Sequence, residues 1–340
     1  MNLPLFDCSG ISLHGVRRDA FNKLNKKIYY GELKVELVER CFCGDNDFRK
    51  LSKYDRFGLP FGTQICRSCG LITQTLRLTP DSLPLFYAEI YWPLIEGDYN
   101  PGFVTVPKDD QWLSYILNHI SFDNSHIDII EIGCGSGTRL AALKRELEAC
   151  GMEVHATGCD YSESALSIAR TKGIDTVLGG LEEVTAVGVA DVVILSHVFE
   201  HLPDLNSATR ELSKITNCDS IIYIEVPGVI DLENKREYLY NYQLYSVLAH
   251  TYNFSLQSLA MVMESGGFAL VEGDEFVRCI FKKIGEEQKK PVSNVNVYHE
   301  TIRAIERAYV KQASLERKRN RPIVKYARNL AKALLGRSCN

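Results

Sequence analysis

The stretch IDIIEIGCGSGTRLAALKRELEACG, residues 127–151, decides the fold. It opens with a short apolar run that ends in glycine, the pattern of a strand buried on both faces. Its second half carries apolar residues at helical spacing and stops at Gly151. Between them lies EIGCGSG, residues 131–137, where Gly133, Gly135 and Gly137 permit a tight turn and close approach of a ligand to the backbone. Asp160 closes the next expected strand, EVHATGCD, 23 residues after Gly137. A carboxylate at that point can accept hydrogen bonds from ribose hydroxyls. A dinucleotide fingerprint would read G-x-G-x-x-G, but here the glycines are evenly spaced and residue 138 is Thr. Glu131, just before the turn, suits the cationic amino group of a methionine moiety better than a pyrophosphate. These residues favour S-adenosylmethionine over a dinucleotide.

Downstream, strands and helices alternate. SESALSIARTKG reads as a helix with Ser162 as N-cap and Gly173 as its stop. IDTVLGG, ADVVILS and SIIYIEV read as strands, with LNSATRELSKI as a helix before the last. SLQSLAMVMESGGF is a further helix, and FALVEGDEFVRCIFKKI two strands around a turn at Gly273–Asp274. Such alternation argues for an α/β fold, a parallel sheet covered on both faces and closed by a hairpin. Taken together, EIGCGSG, GCDYS, GGLEEV, ADVVILSHVFEHL and IIYIEVPG resemble the successive motifs of class I S-adenosylmethionine-dependent methyltransferases, over about residues 100–284. The resemblance implies a Rossmann-like seven-stranded sheet of order 3-2-1-4-5-7-6 with the seventh strand antiparallel. It places Glu131, Gly133, Cys134, Gly135 and Gly137 against the methionine part, Asp160 on the ribose and Tyr161 by the adenine. Leu181 and Glu182 would close over the adenine, and Ser196 and His197 would border the cofactor. Relatives often carry an acid near position 180 for the adenine amino group; this chain has Gly180 and Leu181 there.

SHVFEH, residues 196–201, contains the spacing H-x-x-E-H known from helical zinc sites of metalloproteases. Pro203 comes two residues after His201, so an uninterrupted helix is not expected, and the metal reading is set aside. His201 and Glu200 are expected to cap or orient the next segment. His197 emerges from the carboxyl end of the fourth strand, where ligands bind in open α/β sheets, and is the better functional candidate.

Before this core, CFCG at 41–44 and CRSCG at 66–70 form C-x-C…C-x₂-C with 22 residues between the pairs. Cys41, Cys43, Cys66 and Cys69 suit a closed, structural four-thiolate zinc ion. A zinc module ahead of this core resembles methyltransferases of sugar and cell-surface polysaccharide pathways, including deoxysugar C-methyltransferases. That resemblance implies that LFYAEIYWPLIEG lies between the two parts with Tyr91, and its neighbour Tyr87, facing substrate. In the C-methyltransferases a Glu-His pair precedes an S-Y-F-S-like run. Here YSVLAHTYNFS keeps His250 but has Ala249 before it, and the chain is too short for their large C-terminal domain. Both departures favour a hydroxyl acceptor, which needs only one base. His250 and His197 are the base candidates, since imidazole titrates near neutrality. Glu225, ending the fifth strand, either orients a sugar hydroxyl or pairs with a neighbour.

The 340 residues divide into an expected zinc-binding module at 1–80, a connecting segment at 81–120, the methyltransferase domain at 121–285 and a basic helical tail at 286–340. Residues 286–340 carry a net charge of +8 and residues 1–285 a net charge of −12. The tail is read as two helices, 299–318 and 322–335, the second with Ile323, Ala327, Leu330 and Leu334 on one face. Such a helix can dock on the acidic body, on a partner subunit or on an anionic membrane surface. An acidic body speaks against an RNA base methyltransferase, because RNA binding wants a basic stripe. The intact glycine turn with Asp160 speaks against a scaffold that has lost catalysis. No apolar run reaches the length of a membrane span and no secretory signal is read, and the seven cysteines outside the cluster are read as reduced thiols. The expectation is therefore a cytoplasmic enzyme, with membrane contact confined to the tail, that takes S-adenosylmethionine, zinc and a small sugar-type acceptor.

Overall fold

A computed structural model of the chain describes residues 10–95, 97, 111–121, 125–285 and 294–319. The strands in chain order are β1 (Val35–Leu37), β2 (Phe48–Lys50), β3 (Thr63–Cys66), β4 (Ile72–Gln74), β5 (Leu76–Leu78), β6 (His126–Ile132), β7 (Glu153–Asp160), β8 (Asp175–Leu178), β9 (Val192–Ser196), β10 (Ile221–Glu225), β11 (Tyr252–Asn253), β12 (Phe268–Gly273) and β13 (Arg278–Lys283). Seven of them form one sheet in the order β12-β13-β10-β9-β6-β7-β8. Numbered within the sheet from its other edge, this is 3-2-1-4-5-7-6. β6 to β10 run parallel and β13 is antiparallel to both its neighbours.

The apolar runs make a two-faced sheet because successive side chains alternate. Val193, Leu195, Ile222 and Ile224 join one core with Leu205, Leu212, Leu259 and Met263 from the helices Leu205–Lys214 and Leu256–Ser265. Val192, Ile194, Ile221 and Tyr223 join the opposite core with Leu140, Leu143 and Leu147 of the helix Thr138–Ala149 and Trp112 of the helix Gln111–Leu117. The capping chemistry is local. The Ser162 side chain accepts from Ala165 N, and Asp204 accepts from Asn206 N and Ser207 N, each starting its helix. Gly137 sits at φ 68° before Thr138, a left-handed turn suited to glycine.

The cysteine segment folds as β2, β3 and β4, but its sheet has a fourth strand, β11, which belongs to the chain between β10 and β12. Cys41, Cys66, Cys69 and Leu71 share a core with the face of the large sheet. A cut at residue 80 therefore does not free a separate unit in this structure. The helix Val295–Arg319 spans the first expected tail helix and lies on the body: Tyr298, Ile302, Ile305 and Ala308 pack with Leu51, Ile65 and Ile72. Gly70 faces its start so closely that a Cβ there would stand 2.6 Å from Tyr298 N. The second expected tail helix, 322–335, lies outside the described residues. Among the described residues no helix is long and apolar enough to cross a membrane.

Candidate active site

The glycine turn sits at the carboxyl end of β6. Gly133, Gly135 and Gly137 have φ of 67°, 52° and 68°, all left-handed. A Cβ at Gly133 would strike Val198 Cγ2 at 2.5 Å, so the segment after β9 is pressed against the turn. A Cβ at Gly135 meets nothing within 4 Å, so the turn opens onto free space there. Beside it Glu131 is buried, its Oε2 has no hydrogen-bond partner, and burial pushes its pKa up to about 8. The Asp160 carboxylate accepts from Gly135 N at 2.9 Å and from Ser162 N at 2.8 Å, which fixes it at the tip of β7. Burial raises its pKa, and these backbone donors oppose the rise.

An open cradle, a buried carboxyl group with an unspent oxygen and a second carboxylate pinned to the turn fit the amino and ribose groups of S-adenosylmethionine. Cys134 is buried under the turn; a Cβ on Gly158 of β7 would come 2.4 Å from its Sγ. Leu181 is buried, and Glu182 is exposed. It is Glu183 that returns to the turn, its Oε2 accepting from Gly180 N at 2.7 Å. Tyr161 projects into solvent and stacks on Tyr87 with ring centroids 6.2 Å apart and planes 7° apart.

The segment 196–201 resolves the H-x-x-E-H question. It forms a short turn, Phe199–His201, rather than a long helix. His197 takes a left-handed conformation, φ 55°, with its backbone N donating to Glu225 O at 2.7 Å. A non-glycine residue held there costs about 1–3 kcal/mol and persists where the surroundings over-determine it. Glu200 turns inward and is 1% exposed. Its Oε1 lies 3.6 Å from His197 Nδ1, 3.8 Å from His201 Nε2 and 4.0 Å from His250 Nε2. Neither Glu200 oxygen has a hydrogen bond of normal length.

The three imidazoles differ. His201 donates from Nδ1 to Ala249 O at 2.8 Å, which turns its Nε2 toward Glu200, and burial lowers its pKa. His250 is mostly buried and edge-on against His201, and desolvation takes its pKa down to about 3. His197, half-exposed, is moved the other way: burial lowers its pKa, but the close contact with Glu200 and the charges of Glu200 and Glu225 outweigh it, so the net shift is upward. For Glu200, burial raises the pKa, and His201, His197 and His250 overcome it and hold the carboxylate at about 2.

The structure thus brings both base candidates to one carboxylate and ranks them. Only His197 is exposed and basic enough to serve near neutrality; His250 is a packed, neutral neighbour. The expected orienting role of His201 fits its bond to Ala249. Tyr87 and Tyr91 lie edge-on to His201 at 6.1 and 5.8 Å, which puts the aromatic segment Tyr87–Tyr91 on the wall of this cluster.

One residue escaped the sequence reading. Arg139, in the first turn after the glycines, donates to Glu225 Oε2 at 2.6 Å and to Ser196 Oγ, and it lies over the Trp112 ring with 5.5 Å to the centroid. Glu225 pairs with this neighbour, and Ser196 Oγ also donates to it at 3.0 Å. The only signal was a cation within the first turn of a helix that starts beside strand ends.

The four cysteines also converge. All four Sγ atoms lie within 4.8 Å of one another, with Cys41–Cys69 at 3.5 Å and Cys43–Cys66 at 3.6 Å. Thiolates around a tetrahedral zinc at ~2.3 Å stand ~3.8 Å apart, so this donor set fits the ion.

Residues 110–273 match the family of methyltransferase domains. This part of the chain is accordingly a methyltransferase domain of the S-adenosylmethionine-dependent class. The chain is 24% identical over 220 residues to C-methyltransferase NovU of Streptomyces niveus, covering 63% of this chain and 47% of that protein. It is 28% identical over 109 residues to malonyl-[acyl-carrier protein] O-methyltransferase of Bacillus anthracis, covering 31% and 39%. The chain therefore spans about half or less of these curated relatives. Among solved structures, PH0226 protein of Pyrococcus horikoshii OT3 aligns with a TM-score of 0.42 and 13% identity, over 57% of this chain and 98% of that one.

Proposed function

We propose that the chain transfers the methyl group of S-adenosylmethionine to a hydroxyl of a small sugar-type acceptor, free or nucleotide-linked, with His197 as general base. The observation that carries the reading is the buried carboxylate Glu200 beside His197, next to the glycine turn. When bound, S-adenosylmethionine supplies an activated methyl group on a cationic sulfur. Glu131, the 133–137 turn and Asp160 would hold it, with Tyr161, Leu181, Glu182 and Ser196 around it. Tyr87 and Tyr91 offer aromatic faces to the acceptor, and Arg139 with Glu225 fixes the floor between β9 and β10. His197 takes the hydroxyl proton as the new bond forms, and Glu200 stabilises the imidazolium that results. Positioning by the cleft and proton removal together supply the rate. Cys41, Cys43, Cys66 and Cys69 would hold a structural zinc that joins the segment of β2–β4 without entering the chemistry. The likeness to sugar-pathway enzymes that carry a zinc module supports the acceptor class.

Methylation at carbon is a second reading, and one observation favours it. The sequence has Ala249 where a carboxylate would precede His250, but Glu200 supplies a carboxylate 4.0 Å from His250 Nε2 from a different segment. The similarity to NovU points the same way. Incubating the chain with S-adenosylmethionine carrying a ¹³C-labelled methyl group and a panel of nucleotide-linked sugars, with the product read by NMR, separates the two. A labelled methyl bonded to oxygen supports the hydroxyl; a labelled methyl bonded to carbon supports the second reading. Label in none of the sugars would defeat the sugar assignment.

A further inference from the structure

Arg56 is an unusual cation. Most of its side chain is out of solvent, its Nε is buried with no hydrogen-bond partner, and among the described residues its guanidinium makes no hydrogen bond or ion pair. It only lies over the Phe57 ring at 5.0 Å. Arg17 repeats the pattern: its Nε is also buried and unpartnered, and among the described residues its one side-chain hydrogen bond is from Nη2 to Ile95 O at 2.9 Å. Burial weakens the positive charge of Arg56; Tyr238 and Asp55 oppose this, and the charge of Arg17 adds to it. Two like charges in a partly buried place need an anion. The neighbouring carboxyl group is already spent: Asp55 Oδ1 accepts from Phe57 N and Leu59 N, both at 2.9 Å, and Oδ2 accepts from Leu248 N at 3.0 Å.

The position matters as much as the charge. Arg56 N donates to Ser246 O at 2.9 Å, which ties this residue to the loop that ends in His250. Arg17 is tied to Ile95, at the end of the helical run that carries Tyr87 and Tyr91. Phe57, Leu248, Ala249 and Ile90 form one core with Tyr87 and Tyr91 packed on it. The two guanidinium groups therefore stand behind the same aromatic and histidine wall that borders Glu200. We propose that Arg17 and Arg56 form a phosphate subsite, so that the acceptor carries a phosphate or diphosphate group. This rests on the methyltransferase reading and narrows its substrate class. Guanidinium groups present paired donors to phosphoryl oxygens, and two positive charges match a doubly charged anion.

The test is calorimetric titration of the full chain with inorganic pyrophosphate, without cofactor, at fixed salt. Binding to the wild type, weakened at least about tenfold by Arg56→Gln and several-fold by Arg17→Gln, is the expected result. Arg56→Lys should fall between wild type and Arg56→Gln, because it keeps the charge and loses the fork. Arg210→Gln, far from this wall, should leave binding unchanged. No binding, or equal binding by wild type, Arg56→Gln and Arg17→Gln, overturns the proposal. Parallel titrations with uridine diphosphate and glucose 1-phosphate distinguish a nucleotide-linked acceptor from a sugar phosphate by which binds more tightly in an Arg56-dependent manner. A separate titration with S-adenosylmethionine should be unaffected in the arginine variants that melt like the wild type. A chain that takes pyrophosphate through Arg56 yet never takes S-adenosylmethionine would fault the methyltransferase reading and leave the subsite standing.

Discussion

The glycine turn and the Glu200 cluster are built in opposite ways. The turn is continuous in sequence: seven residues, 131–137, fix its shape through left-handed glycines, and only Asp160 comes from elsewhere. The cluster is assembled from pieces, with His197, Glu200 and His201 from one turn, His250 from another and Tyr87 and Tyr91 from the segment before the large sheet. The difference suits the two tasks. A cofactor presents the same groups each time, so a rigid backbone cradle serves it. An acceptor site is set by which segments meet at the strand ends, and side chains from several of them can change without disturbing the sheet.

The largest effect expected concerns the third region, on which the cluster leans. Replacing Cys66 and Cys69 with Ser together should remove about one zinc per chain by metal analysis and unfold the β2–β4 sheet. Because β11 pairs with β4 two residues after His250, the loss should reach the cluster and abolish turnover. Full metal content or an unchanged melt in the variant would contradict the zinc assignment.

Next in size, His197→Ala should lower turnover ~10²–10⁴-fold with cofactor affinity nearly intact. Glu200→Gln sharpens the point through the pH profile. A base must be neutral, so the rate should climb with pH through the raised pKa of His197. Without the Glu200 charge that pKa falls, and the acidic limb should move to lower pH. A limb that stays put would show that Glu200 does not act through His197.

A smaller effect is expected on the cofactor side. Asp160→Ala should weaken S-adenosylmethionine binding by ~1–3 kcal/mol, the scale for a hydrogen bond to a charged group, read by calorimetry. Asp160 also anchors Gly135, so loss of affinity with a lowered melting temperature would mark a disturbed turn and loss without it a direct contact.

The smallest effect is on stability. His250 has its folded pKa depressed to about 3, against ~6.5 unfolded. The unfolded chain therefore binds the extra proton first, and the stability that comes from keeping His250 neutral is present above pH ~6.5 and drains away as pH falls toward 3. Glu200 adds no loss in most of that window, since its carboxylate persists to about 2. His250→Gln should flatten the slope of melting temperature against pH between 6.5 and 4; an unchanged slope would place the titration elsewhere.

What the sequence could tell follows the same division. Strands β6, β9 and β10 were readable because buried parallel strands are continuous apolar runs, and the helix starts because Ser162 and Asp204 cap within their own turn. The Glu225 partner was not readable, because Arg139 lies 86 residues away. Neither was the carboxylate beside His250, which looked missing at Ala249 and arrives from Glu200. The β11 strand, two residues long, carries no period of its own and is defined by its partner β4.

The central claim is that the open space over Gly135 receives S-adenosylmethionine. Calorimetric titration of that compound into the wild type and into Gly135→Leu tests it most directly, because a side chain there enters the empty cradle and meets no protein atom at its Cβ. The account predicts saturable binding by the wild type and a loss of about tenfold or more in the variant, with a melt lowered by the strain of a non-glycine residue at φ 52°. Equal affinity in the two proteins, or no uptake by the wild type, would contradict it.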